Sequence, residues 1–363
     1  MRNLTILFLG AFLAACAVPQ TQTPKVTPVD TEIEEKKQRE LAMGALVETE
    51  KRLYTVGYPL LTHGTPLCGD KVSPSIGMLV WNKHRFKEEW QEAIASKYGV
   101  TDLVQVAHVS PGSPADRAGI KVGDLPVSIN GWLVPTGEDS LEEFWENLNE
   151  RKLESDPIEF IMRRGDSDIT ASVIPEPACD FELVLDDKDT KNAYADGKRI
   201  VVHRGLMEFF KTDQEVALII AHELAHNAMG HVEAKQINAI VGGLIGLMAD
   251  VASAAGGVNT QGQFTDLGAK AGAGAYSVDF EKEADYVGLY LMALAGYEIE
   301  GVADFWRRMA VQDPKVIRLR GTHPTTPERF VGIEKAVSEI QRKIAGGLAL
   351  RPENKRVVVG EKR

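Results

Sequence analysis

Residues 212–231 read TDQEVALIIAHELAHNAMGH, and the rest of the chain is best read outward from them. Thr212 followed by Glu215 has the spacing of a helix start, where side chains satisfy the first free N–H groups. The stretch that follows is apolar on nearly every side, so the helix is expected to be buried. His222, Glu223 and His226 then form an HExxH pattern. At 3.6 residues per turn, His222 and His226 lie about 40° apart on one face. Both imidazoles can therefore reach one metal ion, with Glu223 beside it. Burying three such groups without a metal or partners would be costly. His231 lies about 140° round the helix from His226, and a structural or supporting role is expected for it.

Two histidines are one ligand short, because a catalytic zinc usually takes three protein ligands and keeps a fourth position open. A metzincin would carry Gly at 229 and His at 232, whereas this chain has Met229 and Val232. A glutamate from a later helix is the other solution. Residues 280–296 (FEKEADYVGLYLMALAG) offer Glu281, with Asp285 four residues on and on the same face. Glu283 is a rival, about 200° round the helix from Glu281.

HExxH followed by ExxAD resembles the HtpX/Oma/CAAX-prenyl-protease family of membrane-associated metallopeptidases (metallopeptidase family 48). The resemblance implies that Glu281 is the third ligand and that Asp285 supports a ligand histidine. It implies one zinc ion per chain and peptide hydrolysis with Glu223 as general base. Asn192-Ala193-Tyr194-Ala195-Asp196-Gly197, ahead of Arg199–Val202, resembles the family's edge strand. Asn192 and Tyr194 are thereby candidates for pairing with the substrate backbone. Ala295-Gly296-Tyr297, Phe305-Trp306-Arg307-Arg308-Met309, Thr322-His323-Pro324 and Arg329 follow in the family's order. The resemblance places His323 and Arg329 near the metal, to stabilise an oxyanion or hold the peptide. His323 could instead cap the metal in a resting state.

Upstream, residues 70–177 have a different texture: short strand-like runs separated by Gly, Pro and Asp turns. At the centre stand Ser113-Pro114-Ala115, Ala118-Gly119-Ile120, Gly123-Asp124 and Ile129-Asn130-Gly131. This order resembles a bacterial-type PDZ domain, which binds an extended peptide by adding it to a sheet edge. The resemblance assigns the groove wall to a helix over 139–151 with Leu141, Phe144, Trp145 and Leu148. It also makes Ser75-Ile76-Gly77-Met78 the candidate carboxylate-binding loop. For Phe144 and Trp145, ordinary core packing is an equal alternative.

Residues 1–15 (MRNLTILFLGAFLAA) have the composition of a secretory signal peptide. They end in Leu13-Ala14-Ala15-Cys16, which resembles a lipobox and makes Cys16 the candidate lipidation site. Ala at position 17 favours the outer membrane, with the chain facing the periplasm. An oxidising compartment permits a Cys68–Cys179 disulfide, which would staple the two ends of the PDZ-like block. Residues 16–30 read as an extended Pro/Thr-rich tether. A surface helix is expected over 31–53, with turn signals at Gly57, Pro59 and Gly64.

The chain has 363 residues, 44% of them apolar, and a formal charge of −11. That balance argues against a nucleic-acid partner. The expected class is α+β: a mostly helical gluzincin-type metallopeptidase domain with a small active-site sheet, interrupted by a β-rich PDZ-like domain. The expected divisions are signal peptide 1–15, tether 16–30, N-terminal helix 31–68, PDZ-like domain 69–177, peptidase domain 178–345 and tail 346–363. The expected partners are protein or peptide substrates and a membrane, reached through the anchor. Residues 242–274 contain nine Gly and seven Ala, and close packing of small-residue helices is expected there. The apolar run 237–249 is too short for a membrane span. The rival function is a PDZ-based binding or chaperone-like lipoprotein with a latent metal site.

Overall fold

The computed structural model describes residues 21, 23–152, 157–275, 277–312 and 327–353. Its architecture is α+β, with helices around one large core and a smaller β-rich core beside it.

The first helix, α1 (Pro28–His63), starts on a full capping box: Thr27 Oγ1 accepts from Asp30 N, and the Asp30 carboxylate accepts from Thr27 N. Pro28 suits the first turn, where its missing N–H is not needed. The helix thus begins inside the expected tether and runs well past the expected end at residue 53. Pro59 lies within it, and the turn signals at Gly57 and Pro59 do not end it. Leu53, Val56, Leu60 and Leu61 are buried in the main core, and that burial outweighs one lost backbone bond. Gly57 is needed there, because a Cβ would strike the Leu183 side chain.

After α1 come β1 (Val72–Ser75), β2 (Met78–Trp81), α2 (Glu88–Tyr98), β3 (Gln105–Val109), the one-turn α3 (Pro114–Arg117), β4 (Leu125–Ile129), β5 (Trp132–Leu133), α4 (Ser140–Lys152), β6 (Ile158–Arg164) and β7 (Ser167–Val173). β2 pairs with β3, and a second sheet has the order β5-β4-β6-β7. In β6 the alternation of Ile158, Phe160 and Met162 with exposed residues turns one face inward. These three pack with Val80, Val106, Ile129, Phe144 and Leu148 in the smaller core. The middle of α1 reaches this side too: Met43 packs with Trp81, Ile94 and Val100 in a third cluster. The N-terminal helix therefore braces both units rather than only the larger one.

β8 (Glu176–Cys179) returns to pair antiparallel with β1, Val72 opposite Cys179. Cys68 and Cys179 are disulfide-bonded, with Cα atoms 5.8 Å apart and a sequence separation of 111. Ribbon and disulfide close the same loop; the entropy argument gives about 4–5 kcal/mol as an upper figure for such a loop.

β9 (Glu182–Asp186), β10 (Ala193–Ala195) and β11 (Arg199–His203) form a three-stranded sheet in the order β10-β11-β9. The short α5 (Arg204–Met207) leads to α6 (Asp213–Ala228), where Thr212 caps Glu215 N. The Glu215 carboxylate reaches Lys211 N and Arg308 instead of completing the box at Thr212. Every residue from Val216 to Asn227 is buried. Then follow α7 (His231–Ala255), α8 (Gln263–Gly274), α9 (Ser277–Leu294), α10 (Val302–Gln312) and α11 (Pro327–Ala345). Helix α7 is longer than the apolar run 237–249, because the Asp250 carboxylate is absorbed by Thr260, Phe264 and Thr265 at the start of α8.

Candidate metal centre

His222 and His226 sit on α6, and α9 crosses that helix closely. Gly288 makes the crossing possible: a Cβ there would come within 3.2–3.3 Å of the Ala221 backbone and the His222 Cα. Gly288 is seven residues after Glu281, on the same α9 face, a spacing that could have exposed it in the sequence. The crossing brings Glu281 between the two imidazoles. His222 Nε2 lies 3.2 Å from His226 Nε2 and 3.3 Å from Glu281 Oε2, and His226 Nε2 lies 3.4 Å from Glu281 Oε1. All three residues are buried, and their donor atoms form a group that could hold a metal ion.

The residues fit zinc. Four ligands at about 2.0–2.1 Å in a tetrahedron are about 3.3–3.4 Å apart, which is the observed triangle. The donor set of two imidazoles and one carboxylate also suits that ion. Glu283 stands apart from the triangle: its carboxylate is 3.1 Å from His231 Nε2.

Asp285 Oδ1 is 3.1 Å from His222 Nδ1, so it can fix the tautomer that leaves Nε2 facing Glu281. Asp285 is in turn clamped by Arg329, Nε to Oδ2 at 2.7 Å and Nη2 to Oδ1 at 2.8 Å. Arg329 Nη1 is also 3.4 Å from Glu281 Oε2, and its guanidinium lies over the Trp306 ring. The resemblance expects Arg329 at an oxyanion or substrate, a duty distinct from these contacts. Its planar fork faces Asp285 inside the protein, and it acts as that carboxylate's counterion. His323 lies outside the described residues.

Burial would depress the pKa of His222, but Asp285 and then Glu281 more than offset it, holding it at about 9 without a metal. Burial takes His226 down to about 4. Burial would raise Asp285, yet the Arg329 charge holds it below the ordinary carboxylate value.

His231 is not on the same helix as His226. Gly230, at φ +69°, ends α6 and starts α7. The turn folds His231 back, its Nδ1 2.9 Å from His226 Nδ1, with Phe280 stacked on its ring. Asn227, which sequence reasoning passed over, ties the sheet to the helix. Its carboxamide accepts from Gly197 N at 2.8 Å and donates to Arg199 O at 3.0 Å. This fixes β10 beside α6, with β10 at the edge of its sheet. Tyr194 is half-buried on that strand against His203, and the Asn192 carbonyl accepts from His203 N. Glu223 is buried one residue from His222.

A separate groove of about 680 Å³ runs between β2 and α4. Met78, Val80, Leu141 and Trp145 line it, and Tyr58 of α1 and Leu183 of β9 border it. Phe144 and Leu148, expected in the groove wall, are instead fully buried in the core beside it; they share one face of α4 with Leu141 and Trp145, which are only partly buried at its groove side. Gly77, at φ +68°, shapes the loop entering β2, where a Cβ would strike Ser113 and Tyr58.

Comparison with known proteins gives two family matches: residues 159–337 match peptidase family M48, and residues 105–144 match the PDZ domain. The chain is 29% identical over 168 residues to mitochondrial metalloendopeptidase OMA1 of Schizosaccharomyces pombe, covering 45% of this chain and 48% of that protein. It is 30% identical over 149 residues to metalloprotease LoiP of Escherichia coli, covering 40% and 59%. It is 27% identical over 164 residues to the beta-barrel assembly-enhancing protease of Yersinia pestis, covering 41% and 33%. The chain thus spans about half the length, or less, of the first curated relatives it matches.

Proposed function

The chain carries a peptidase family M48 domain together with a PDZ domain, and on that premise we propose that it is a zinc-dependent endopeptidase of the bacterial cell envelope. The observation that carries this reading is the triangle of His222, His226 and Glu281, with edges of 3.2–3.4 Å. One zinc per chain would be held there, supplying when bound a Lewis acid and a water of lowered pKa. Glu223 takes a proton as general base and returns it to the leaving amine. Asp285 orients His222, and Arg329 keeps Asp285 ionised. The edge strand with Asn192 and Tyr194 receives the substrate backbone in extended form. His323 is assigned to the oxyanion or to capping the metal.

In this reading the PDZ domain recruits or senses peptide in the groove between β2 and α4. The substrates are misfolded or regulated envelope proteins. The divisions 1–15, 16–30, 31–68, 69–177, 178–345 and 346–363 describe the chain, with Cys16 lipidated and the protein held at the outer membrane, facing the periplasm.

The test is digestion of casein or an unfolded outer-membrane protein by the full chain, with and without chelator, alongside metal analysis. Wild type should lose cleavage on chelation, and Glu223→Gln should keep zinc but lose cleavage. Cleavage indifferent to the chelator would reject the metal mechanism. Peptide binding with no cleavage would favour the binding-lipoprotein alternative.

A further inference from the structure

Helices α7 and α8 form a hairpin that is built inside out for water. Its seam is made of glycines: a Cβ at Gly242, Gly246, Gly268 or Gly272 would collide with the backbone of the facing helix. The large apolar side chains point away from the seam. Ile240, Leu244 and Met248 are 64%, 56% and 65% exposed, and Ile237, Val241 and Val251 are exposed beside them. Phe264 and Leu267 continue the apolar surface on α8. A pair of helices folding in water buries such residues between them; small residues in the seam and large ones outside are the packing used in lipid. An exposed apolar patch of this extent marks an interaction surface.

Three observations favour lipid as the occupant over a protein. From Gln236 to Thr265 the single charged residue is Asp250, and its carboxylate is consumed by Thr260, Phe264 and Thr265. That leaves little for a partner's polar groups to recognise. By helix geometry the exposed residues of α7 cover an arc of about 160°, which a fluid surface can envelop and one flat protein face cannot. Finally, Asp266 and Lys270 are exposed on the side of α8 opposite its glycine seam, giving the hairpin one charged edge beside Leu267.

We propose that the α7–α8 hairpin docks its apolar arc into a phospholipid surface, lying in the interface rather than crossing it. By length and composition α7 is apolar enough to cross a membrane, but Asp250 within it and Asp266 and Lys270 on the returning α8 favour the interface over the hydrocarbon centre. The charged edge stays among headgroups, as in amphipathic helices that lie in the membrane plane. The proposal goes beyond the peptidase reading and does not depend on it. The expected anchor at Cys16 would bring the same surface within reach.

The test places the photo-crosslinker p-benzoylphenylalanine at Leu244, at Met248 and, as a control, at the exposed turn residue Asp166. The full chain is mixed with phosphatidylethanolamine/phosphatidylglycerol vesicles, irradiated and weighed by mass spectrometry. A mass shift of one phospholipid at Leu244 and at Met248, absent at Asp166 and unchanged by chelator, is expected. Both hairpin positions are exposed, so neither substitution enters the core. Adducts from the hairpin to a second copy, to another protein or to the chain's own N-terminus would overturn the proposal. So would vesicle-bound chain with no lipid adduct at either position, since the anchor alone would then hold it.

Discussion

Arg329 and Asp285, 44 residues apart in sequence, face each other as a buried fork against a carboxylate, with both bonds under 3 Å. Between them they contact the His222, His226 and Glu281 group at two points, Asp285 at His222 and Arg329 at Glu281. Removing one partner strands the other's charge in the core. Arg329→Met should therefore cost about 3–5 kcal/mol of stability by thermal or urea unfolding. Zinc affinity should fall about 10–100-fold through the loosened Asp285–His222 contact. Arg329→Lys keeps the charge but not the fork and should land between the two. A Met variant with wild-type stability and zinc affinity would contradict this placement.

The centre without metal should take up zinc in exchange for a proton. His222 has its pKa raised to about 9, so at neutral pH its imidazole is protonated, whereas His226, lowered to about 4, is already neutral. Zinc needs both unprotonated. Affinity should therefore rise about tenfold per pH unit between pH 7 and about 9 and then level off. Calorimetry in buffers of different ionisation heat should find about one proton released per zinc at pH 7.5. The stability of the metal-free chain runs the opposite way. A raised folded pKa gives stability that is complete below the unfolded value of about 6.5 and is lost as pH rises towards 9.

A Cβ at Gly288 would sit 3.2–3.3 Å from the Ala221 backbone and the His222 Cα, tighter than an ordinary contact. Gly288→Ala should push α9 outward by a few tenths of an ångström, and Gly288→Val further. Overpacking of this kind costs about 1–3 kcal/mol. The distinguishing sign is in the metal. Zinc affinity should fall with side-chain size, because Glu281 is carried away from the imidazoles.

Helix α4 offers two adjacent aromatics with opposite duties. Phe144 is fully buried, so Phe144→Ala should cost about 3–5 kcal/mol. Trp145 lines the groove, so Trp145→Ala should leave the unfolding midpoint nearly unchanged while weakening peptide binding, read by fluorescence anisotropy. The reverse pattern would mean that the groove is not where peptide lies.

What was legible in the sequence was mostly local. HExxH and ExxAD announce themselves because each places two groups on one helical face at spacing four. The turns around Gly119, Gly123 and Gly131 do so because only particular residues fit them; all three adopt positive φ. What was missed depended on distant packing. Pro59 reads as a helix end, yet the core holds α1 together across it. Arg329 carries no local sign that Asp285 is its partner. His231 cannot be placed by helical angle once Gly230 breaks the helix. Periodicity in residues 237–251 shows that small and large apolar residues occupy different faces. It does not say which face meets the neighbouring helix, and the structure assigns the small one.

The bond between Cys68 and Cys179 has a consequence for any proteolysis of the chain. A single cut anywhere in the 110 residues between the two sulfurs would separate no mass from the molecule. On a non-reducing gel a clipped chain would migrate near the intact one, and only reduction would release two fragments. A nick in the PDZ-like part would thus pass unseen in ordinary purification. Batches that differ in peptide response but not in apparent size should be compared with and without thiol.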